Sequence, residues 1–320
     1  MNRRSLVILG LMLLVLSCAS PDGAPEAEQT ENAAMLENGS FRAELNGFGI
    51  HYEVHGTGPV VMTVTNSWGF DIDGLRAVYG LLEDRLTMVY FDPRGMGESD
   101  PVREDADMGM AAVRADFDAL RAHLGLERVH AIGWSNGATN LIMLAAEHPE
   151  TLDSAIFLHG AASYSQEDQA RFAEEHPQLI ETFVRYQKSM DDPELPDARK
   201  DEILRQIWLT GLFPASCADP EWGRRELPRL FEAAEFSWRH GIHAGQEAPT
   251  IDLLDRLPLI RARSLVLAGA HDTMPLAKAE EMRDGIDGAE LVVFEESGHF
   301  APLEEPERFR EVVFAFLGVD

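Results

Sequence analysis

The stretch "RVHAIGWSNGATNLIMLAAEHP", residues 128–149, decides the fold. Its first part, up to Ser135, is a near-continuous apolar run with the character of a buried strand, and the part that follows reads as a helix ending before Pro149. Ser135 lies where the two meet, flanked by Gly133 and Gly137. Glycine permits tight backbone geometry that residues with side chains avoid. A serine on such a turn is pushed outward, and Gly-x-Ser-x-Gly between a strand and a helix is the pattern of a nucleophile elbow.

A free serine is a poor nucleophile and needs a base that is itself oriented by a carboxylate. On this arrangement the partners follow in the order serine, acid, histidine. Asp272 ends "RSLVLAGAHD", just beyond an apolar strand, and His299 sits in "EESGHF", just beyond the next one. Both therefore fall on the carboxyl edge that Ser135 occupies. His271 comes one residue early and would point away from its neighbour. Acyl transfer also requires donors for the oxyanion. One is the N–H after the nucleophile, that of Asn136; another comes from the loop "VTNSWGFD", residues 64–71.

The rest of the chain extends the alternation. "FRAELNGFGIHYEVHGTG" reads as two strands joined by a glycine turn, and "PVVMTVTN" and "TMVYFDPRG" as strands separated by the helical "DGLRAVYGLLEDRL". "MGMAAVRADFDALRAHLGL" is a long amphipathic helix that stops at Gly125. "LDSAIFLHGAA" is another strand. The rhythm breaks over residues 165–250, which are helix-like and hold Trp208, Phe213, Trp222, Phe231 and Trp238. It resumes with "RSLVLAGAHD", "PLAKAEEMRDGI", "AELVVFEESGH" and "EEPERFREVVFAFLG". Apolar strands alternating with helices predict an α/β fold, a doubly wound mostly parallel sheet covered on both faces. The core spans 41–164 and 251–320, and the helical segment 165–250 is a cap over the edge where such sheets bind ligands.

These motifs, in this order, resemble the α/β-hydrolase family over about residues 45–318. "GWSNG" matches the elbow, "FDPRGMGES" the loop after the fourth strand, and "AGAHDTMP" and "SGHFAPLEEPERF" the acid and base regions. The resemblance implies that Trp68 gives the second oxyanion N–H and that Asp92 and Arg94 brace their loop. It implies a serine hydrolase, since relatives resembling dehalogenases and epoxide hydrolases carry aspartate where this chain has Ser135. Motif order and cap resemble the proline-iminopeptidase-like group, without its glycine- and proline-rich oxyanion loop. Where the family usually has His-Gly, this chain has Asn66-Ser67.

Composition narrows the partners. The chain has 320 residues, 55 acidic against 27 basic, for a formal net charge of −28. Such a surface repels nucleic acid, whose binding rests on basic residues neutralising phosphates. No clustered His/Cys spacing points to zinc, and no Gly-x-Gly-x-x-Gly follows the first strands, so no metal or nucleotide cofactor is expected. "MNRR" followed by "SLVILGLMLLVLS" has the proportions of a signal peptide, residues 1–18, and "VLSC" resembles a lipoprotein cleavage box with Cys18 lipidated. Residues 19–40 read as a disordered tether. The expectation is an exported, cell-envelope protein that touches a membrane only through that anchor. Cys217, the other cysteine, reads as a buried cap thiol.

The sequence therefore predicts hydrolysis of a small ester or amide through an acyl-enzyme on Ser135. Three alternatives stay open: an iminopeptidase-like aminopeptidase, a non-catalytic surface binding protein, and a cofactor-free lyase or acyltransferase. An aminopeptidase needs a carboxylate for the substrate's amine, and Glu232 and Glu235, in the helical-looking "RLFEAAEFSW", are the candidates. The plainer reading of that pair is a solvated acidic face.

Overall fold

The computed structural model describes residues 36–248 and 251–319. The apolar leader, Cys18 and the tether up to residue 35 lie outside the described residues. Among the described residues, no helix is long and apolar enough to cross a membrane.

Among the described residues eight strands form one sheet: β1 (Gly39–Leu45), β2 (Phe48–Gly56), β3 (Val60–Val64), β4 (Thr87–Phe91), β5 (Val129–Trp134), β6 (Leu152–Leu158), β7 (Arg263–Gly269) and β8 (Glu290–Phe294). Their spatial order is β1-β2-β4-β3-β5-β6-β7-β8. The β1–β2 and β2–β4 pairs are antiparallel and the remaining pairs parallel. The β1–β2 hairpin turns on Asn46 and Gly47, both at positive φ (51° and 80°), the pairing that a two-residue hairpin with native twist favours.

The central strands are buried on both faces, which is why they read as unbroken apolar runs. Along β6, Ala155 and Phe157 join one core while Ile156 and Leu158 join the other. Helices α1 (Ile72–Tyr79), α2 (Met110–His123) and α3 (Asn136–Glu147) alternate with the first parallel strands. Phe117 of α2 and Leu141 of α3 pack into the first core, and Leu75 of α1 into the second.

Between β6 and β7 the chain forms α4 (Gln166–Glu175), α5 (Pro177–Met190), α6 (Asp197–Ile207), a π-helical turn at Trp208–Leu212, the short α7 (Phe213–Ala215), α8 (Pro220–Leu230) and α9 (Trp238–Glu247). Helices α10 (Leu276–Gly285), α11 (Ala301–Glu304) and α12 (Pro306–Leu317) complete the chain. Phe213 and Phe231 from the inserted helices are continuous with the second core.

One expectation fails here. "RLFEAAEFSW" is not a helix: α8 ends at Leu230, and residues 231–237 are irregular. Arg205, remote in sequence, donates to the carbonyls of Phe231 and Glu232 at the end of α8. Phe236 then forms a β-bridge to Phe70, pulling the chain into an extended path.

The strand order reverses direction between β3 and β5. Ligands of open α/β sheets bind outside the strand ends at such a switch point. Here the loop after β3 (65–71) meets the turn after β5 at Ser135.

Candidate active site

Ser135 occupies a turn that the flanking glycines make possible. Its φ is 56°, a left-handed value that side-chained residues rarely adopt and that costs about 1–3 kcal/mol. A Cβ on Gly133 would lie 2.4 Å from the Gly137 carbonyl oxygen, and one on Gly137 would lie 2.4 Å from that of Val64. Strand β5, helix α3 and strand β3 therefore cross closer than any side chain allows. The Ser135 N–H donates to Leu158 O at 2.8 Å, tying the turn to β6. A serine before a helix commonly spends its hydroxyl capping the first turn. Ser135 makes no such bond, so its oxygen is left for the cavity it lines.

Asp272 follows β7 and His299 follows β8, and the sheet brings them together: His299 Nδ1 donates to Asp272 Oδ2 at 2.8 Å. The Asp272 side chain is 3% exposed. Burial alone pushes this carboxyl upward, but the charge of His299 and the hydrogen bonds from His159 and His299 outweigh it. The net effect holds Asp272 well below the usual carboxylate range. Its Oδ1 accepts from the Met274 N–H at 2.9 Å. With Nδ1 turned to the carboxylate, His299 presents Nε2 as its acceptor, and both Ser135 and His299 line the same cavity. His271 is exposed, as its position predicts.

A second histidine shares the acid. His159, just after β6 and at φ 51°, donates through Nδ1 to the same Asp272 Oδ2 at 3.0 Å. A carboxylate cannot donate, so the shorter contact to Asp272 places the proton on His159 Nδ1, with the Gly269 N–H approaching the same nitrogen at 3.3 Å. Burial pushes this imidazole below its ordinary value, against the pull of Asp272, and keeps it neutral. Nε2 of His159 is buried with no partner among the described residues. Sequence reading missed this residue. Its one signal, a histidine ending an apolar strand in "LHGAA", gains meaning only once β6 is known to neighbour β7.

The His299 loop is held from the inserted segment. The His299 N–H donates to Ser216 O at 2.7 Å, and a Cβ on Gly298 would lie 2.0 Å from that same oxygen. Ser216 Oγ lies 2.9 Å from Thr273 Oγ1, and the Glu304 carboxylate accepts from the N–H groups of Gly298 and Ala218. Cys217, in the same turn, is a buried free thiol pushed upward by burial.

Asn136 opens α3, where a first N–H has no intrahelical acceptor. Its Oδ1 accepts from both the N–H and the hydroxyl of Ser67, each at 2.8 Å. The Trp68 N–H donates to Asn66 Oδ1 at 3.0 Å. Asp92 accepts from His51 Nδ1 (2.7 Å) and from the N–H groups of Ile72 (2.8 Å) and Glu98 (3.0 Å). Arg94 donates twice to Asp116, both at 2.7 Å. Both residues hold backbone and helix in place, away from the cavity lining.

The cavity encloses about 320 Å³ and is walled mainly by rings, among them Trp68, Phe70, Trp134, Phe183, Trp208 and Phe213. Among the described residues lining it there is no Asp, Glu, Lys or Arg. Of the aromatics noted in the inserted segment, Trp208 and Phe213 face the cavity. Phe231 is wholly buried, Lys200 sits over the Trp238 ring, and Trp222 lies on a separate surface groove. Glu232 and Glu235 are exposed and outside the lining.

A model of the alpha/beta hydrolase fold matches residues 65–306. The chain belongs to the alpha/beta hydrolase family. It is an enzyme of the hydrolase class, on a fold its relatives share along most of their length. A proline iminopeptidase of Saccharolobus solfataricus is 24% identical over 279 residues, 83% of this chain and 87% of that protein. A 2-hydroxy-6-oxo-6-phenylhexa-2,4-dienoate hydrolase of Comamonas testosteroni is 27% identical over 290 residues, covering 86% and 93%. The structure of an alpha/beta fold family hydrolase from Bacillus anthracis superposes with a TM-score of 0.68 at 20% identity, covering 88% of this chain and all of that one.

Proposed function

We propose that this hydrolase cleaves an ester or amide bond in a small, uncharged, apolar substrate through an acyl-enzyme on Ser135. One observation carries the reading: Ser135 and His299 open into a cavity lined by rings, with no Asp, Glu, Lys or Arg among the described residues of its lining.

The steps follow from the groups in place. His299 Nε2 takes the Ser135 hydroxyl proton as the oxygen attacks the substrate carbonyl. Asp272, kept ionised, holds His299 in the right tautomer and stabilises the imidazolium. The tetrahedral oxyanion faces the Asn136 N–H and the loop after β3. Its collapse expels the alcohol or amine with the proton from His299. Water, deprotonated by the same imidazole, then releases the acid and restores Ser135.

The names of the relatives offer two more specific substrates, and the described lining argues against both. An aminopeptidase binds a charged amine and a dienoate is an anion, and the described lining residues include no Asp, Glu, Lys or Arg to pair with either. Leaving a charge unpaired in a buried site costs about 3 kcal/mol or more, on the order of 100-fold in kcat/KM. The phenyl group named for the Comamonas substrate is of the kind these rings accommodate. The test is a panel of p-nitrophenyl esters of neutral aromatic acids, aminoacyl-anilides, and esters bearing a second carboxylate. Neutral esters are expected to lead by about 100-fold. A lead for prolyl-anilides overturns the assignment in favour of an aminopeptidase.

Export and anchoring complete the proposal, supported by the charged, apolar and "VLSC" succession at residues 1–18. Cys18→Ser is expected to move the protein from the membrane to the soluble fraction. An unmodified Cys18 found by mass spectrometry overturns the anchor.

A further inference from the structure

The loop after β3 departs from the His-Gly usual at this place, and its hydrogen bonds form a different donor set. The Trp68 N–H, assigned to the oxyanion by resemblance, already donates to Asn66 Oδ1 at 3.0 Å. That bond also fixes the orientation of the Asn66 amide. An oxygen must face the Trp68 N–H, so the Nδ2 group points the other way. Asn66 is 3% exposed and lines the cavity together with Ser135 and Asn136. Its Nδ2 donates to none of the described residues, yet it is not among the buried atoms sealed without a partner. The cavity is the space left for it.

The loop is also clamped to the elbow. Asn136, the residue after the nucleophile, receives both the Ser67 N–H and the Ser67 hydroxyl on its Oδ1. The Asn66 backbone nitrogen lies 3.6 Å from where a Cβ on Gly137 would be. Both substitutions therefore have a role: Ser67 supplies the hydroxyl that fastens the loop, and Asn66 supplies an amide at the cavity wall.

Resting on the acyl-transfer reading above, we propose that Asn66 Nδ2 is a catalytic hydrogen-bond donor to the substrate oxyanion, beside the Asn136 N–H and in place of the Trp68 N–H. Its ligand is the tetrahedral oxyanion formed when Ser135 adds to an acyl carbonyl. Trp68 N–H and Asn66 Oδ1 then act as the brace that keeps the amide aimed before substrate arrives. A side-chain amide in this role is chemically sound, because asparagine donors serve oxyanions elsewhere.

The experiment compares Asn66→Ala and the isosteric Asn66→Asp with wild type. It uses a neutral p-nitrophenyl ester and a trifluoromethyl ketone whose serine adduct carries the oxyanion. Asn66→Asp keeps an oxygen for the Trp68 N–H but replaces the donor with an acceptor that carries charge when ionised. Asn66→Ala therefore isolates the donor, while unchanged turnover in Asn66→Asp overturns the proposal even if the alanine variant misfolds. Removing one such donor lowers kcat on the order of 10²–10³-fold. That loss is expected in both variants, with KM within about threefold of wild type and a parallel loss of trifluoromethyl ketone affinity. Wild-type or faster turnover in either variant overturns the proposal, because the Trp68 N–H would then serve the oxyanion unaided. A loss of kcat with ketone affinity unchanged also overturns it and leaves Asn66 a merely structural role. Ser135→Ala run alongside separates the two readings: if it retains turnover, acyl transfer on Ser135 itself falls. If it is inactive while the Asn66 variants are not, only the present proposal falls.

Discussion

The carboxyl edge of the sheet and the inserted helices facing it across the cavity are built on opposite principles. At the edge, most polar groups near the elbow are paired within the protein: Ser135 N–H on Leu158 O, Trp134 Nε1 on His299 O, and both histidines on Asp272. The inserted helices present rings instead. Trp208, Phe213 and Phe70 meet with centroids 5.0–5.9 Å apart, and the segment turns its charges elsewhere. Arg205 caps α8, and Asp168 of α4 pairs with the buried Lys278 of α10 at 2.9 Å. On the proposed acyl-transfer reading, strand ends position the reacting groups and the rings select the molecules that reach them.

One of the seams between the two regions lies beside His299, whose N–H donates to the Ser216 carbonyl. Gly298→Ala is the harshest way to break it, because the added Cβ would stand 2.0 Å from the Ser216 oxygen. We expect a loss of about 2–4 kcal/mol in stability together with a fall in kcat, read by thermal denaturation and ester hydrolysis. A variant as stable and active as wild type would show that the edge does not depend on the inserted turn.

The second test sharpens the account of the edge alone. His159 is neutral and buried with its proton affinity lowered, whereas in the unfolded chain it takes up a proton near pH 6.5. Below that pH the unfolded state binds more protons, so stability falls as pH falls toward the lowered folded value. His159→Asn removes this dependence. The slope of Tm against pH below about 6.5 is expected to be shallower in the variant. Equal slopes would place no titrating burden on His159. Asp272 contributes in a lower window, because its folded carboxyl is held below the usual range and protonates only in stronger acid.

Much of the edge is legible in the sequence because its logic is local. Strands buried on both faces read as apolar runs, and Asp272 and His299 each stand just past the end of one. Gly133 and Gly137 announce a close crossing before any coordinates exist. His159 escaped because its importance comes from the β6–β7 pairing, which no periodicity reveals. The false helix over Glu232 and Glu235 has the same origin. Helical spacing was present, but Arg205 and Phe70, remote in sequence, set the path of the chain. The bond between Trp68 and Asn66 needed three-dimensional detail, although the departure from His-Gly marked the place.

The smallest effect is expected on the outer side of the inserted segment. Glu232 and Glu235 are exposed and off the cavity, so Glu232→Gln and Glu235→Gln should each change stability by less than about 0.5 kcal/mol. Ester hydrolysis should stay at wild-type rate. A loss confined to free-amine substrates would mean that this face does reach the substrate.

The central claim, that the strained turn between β5 and α3 carries the nucleophile, is tested most directly by fluorophosphonate labelling followed by peptide mass spectrometry. The expected result is a single phosphonylated residue, Ser135, with labelling abolished by Ser135→Ala. Undiminished labelling of the Ser135→Ala protein, or a label mapped to another residue, would contradict it.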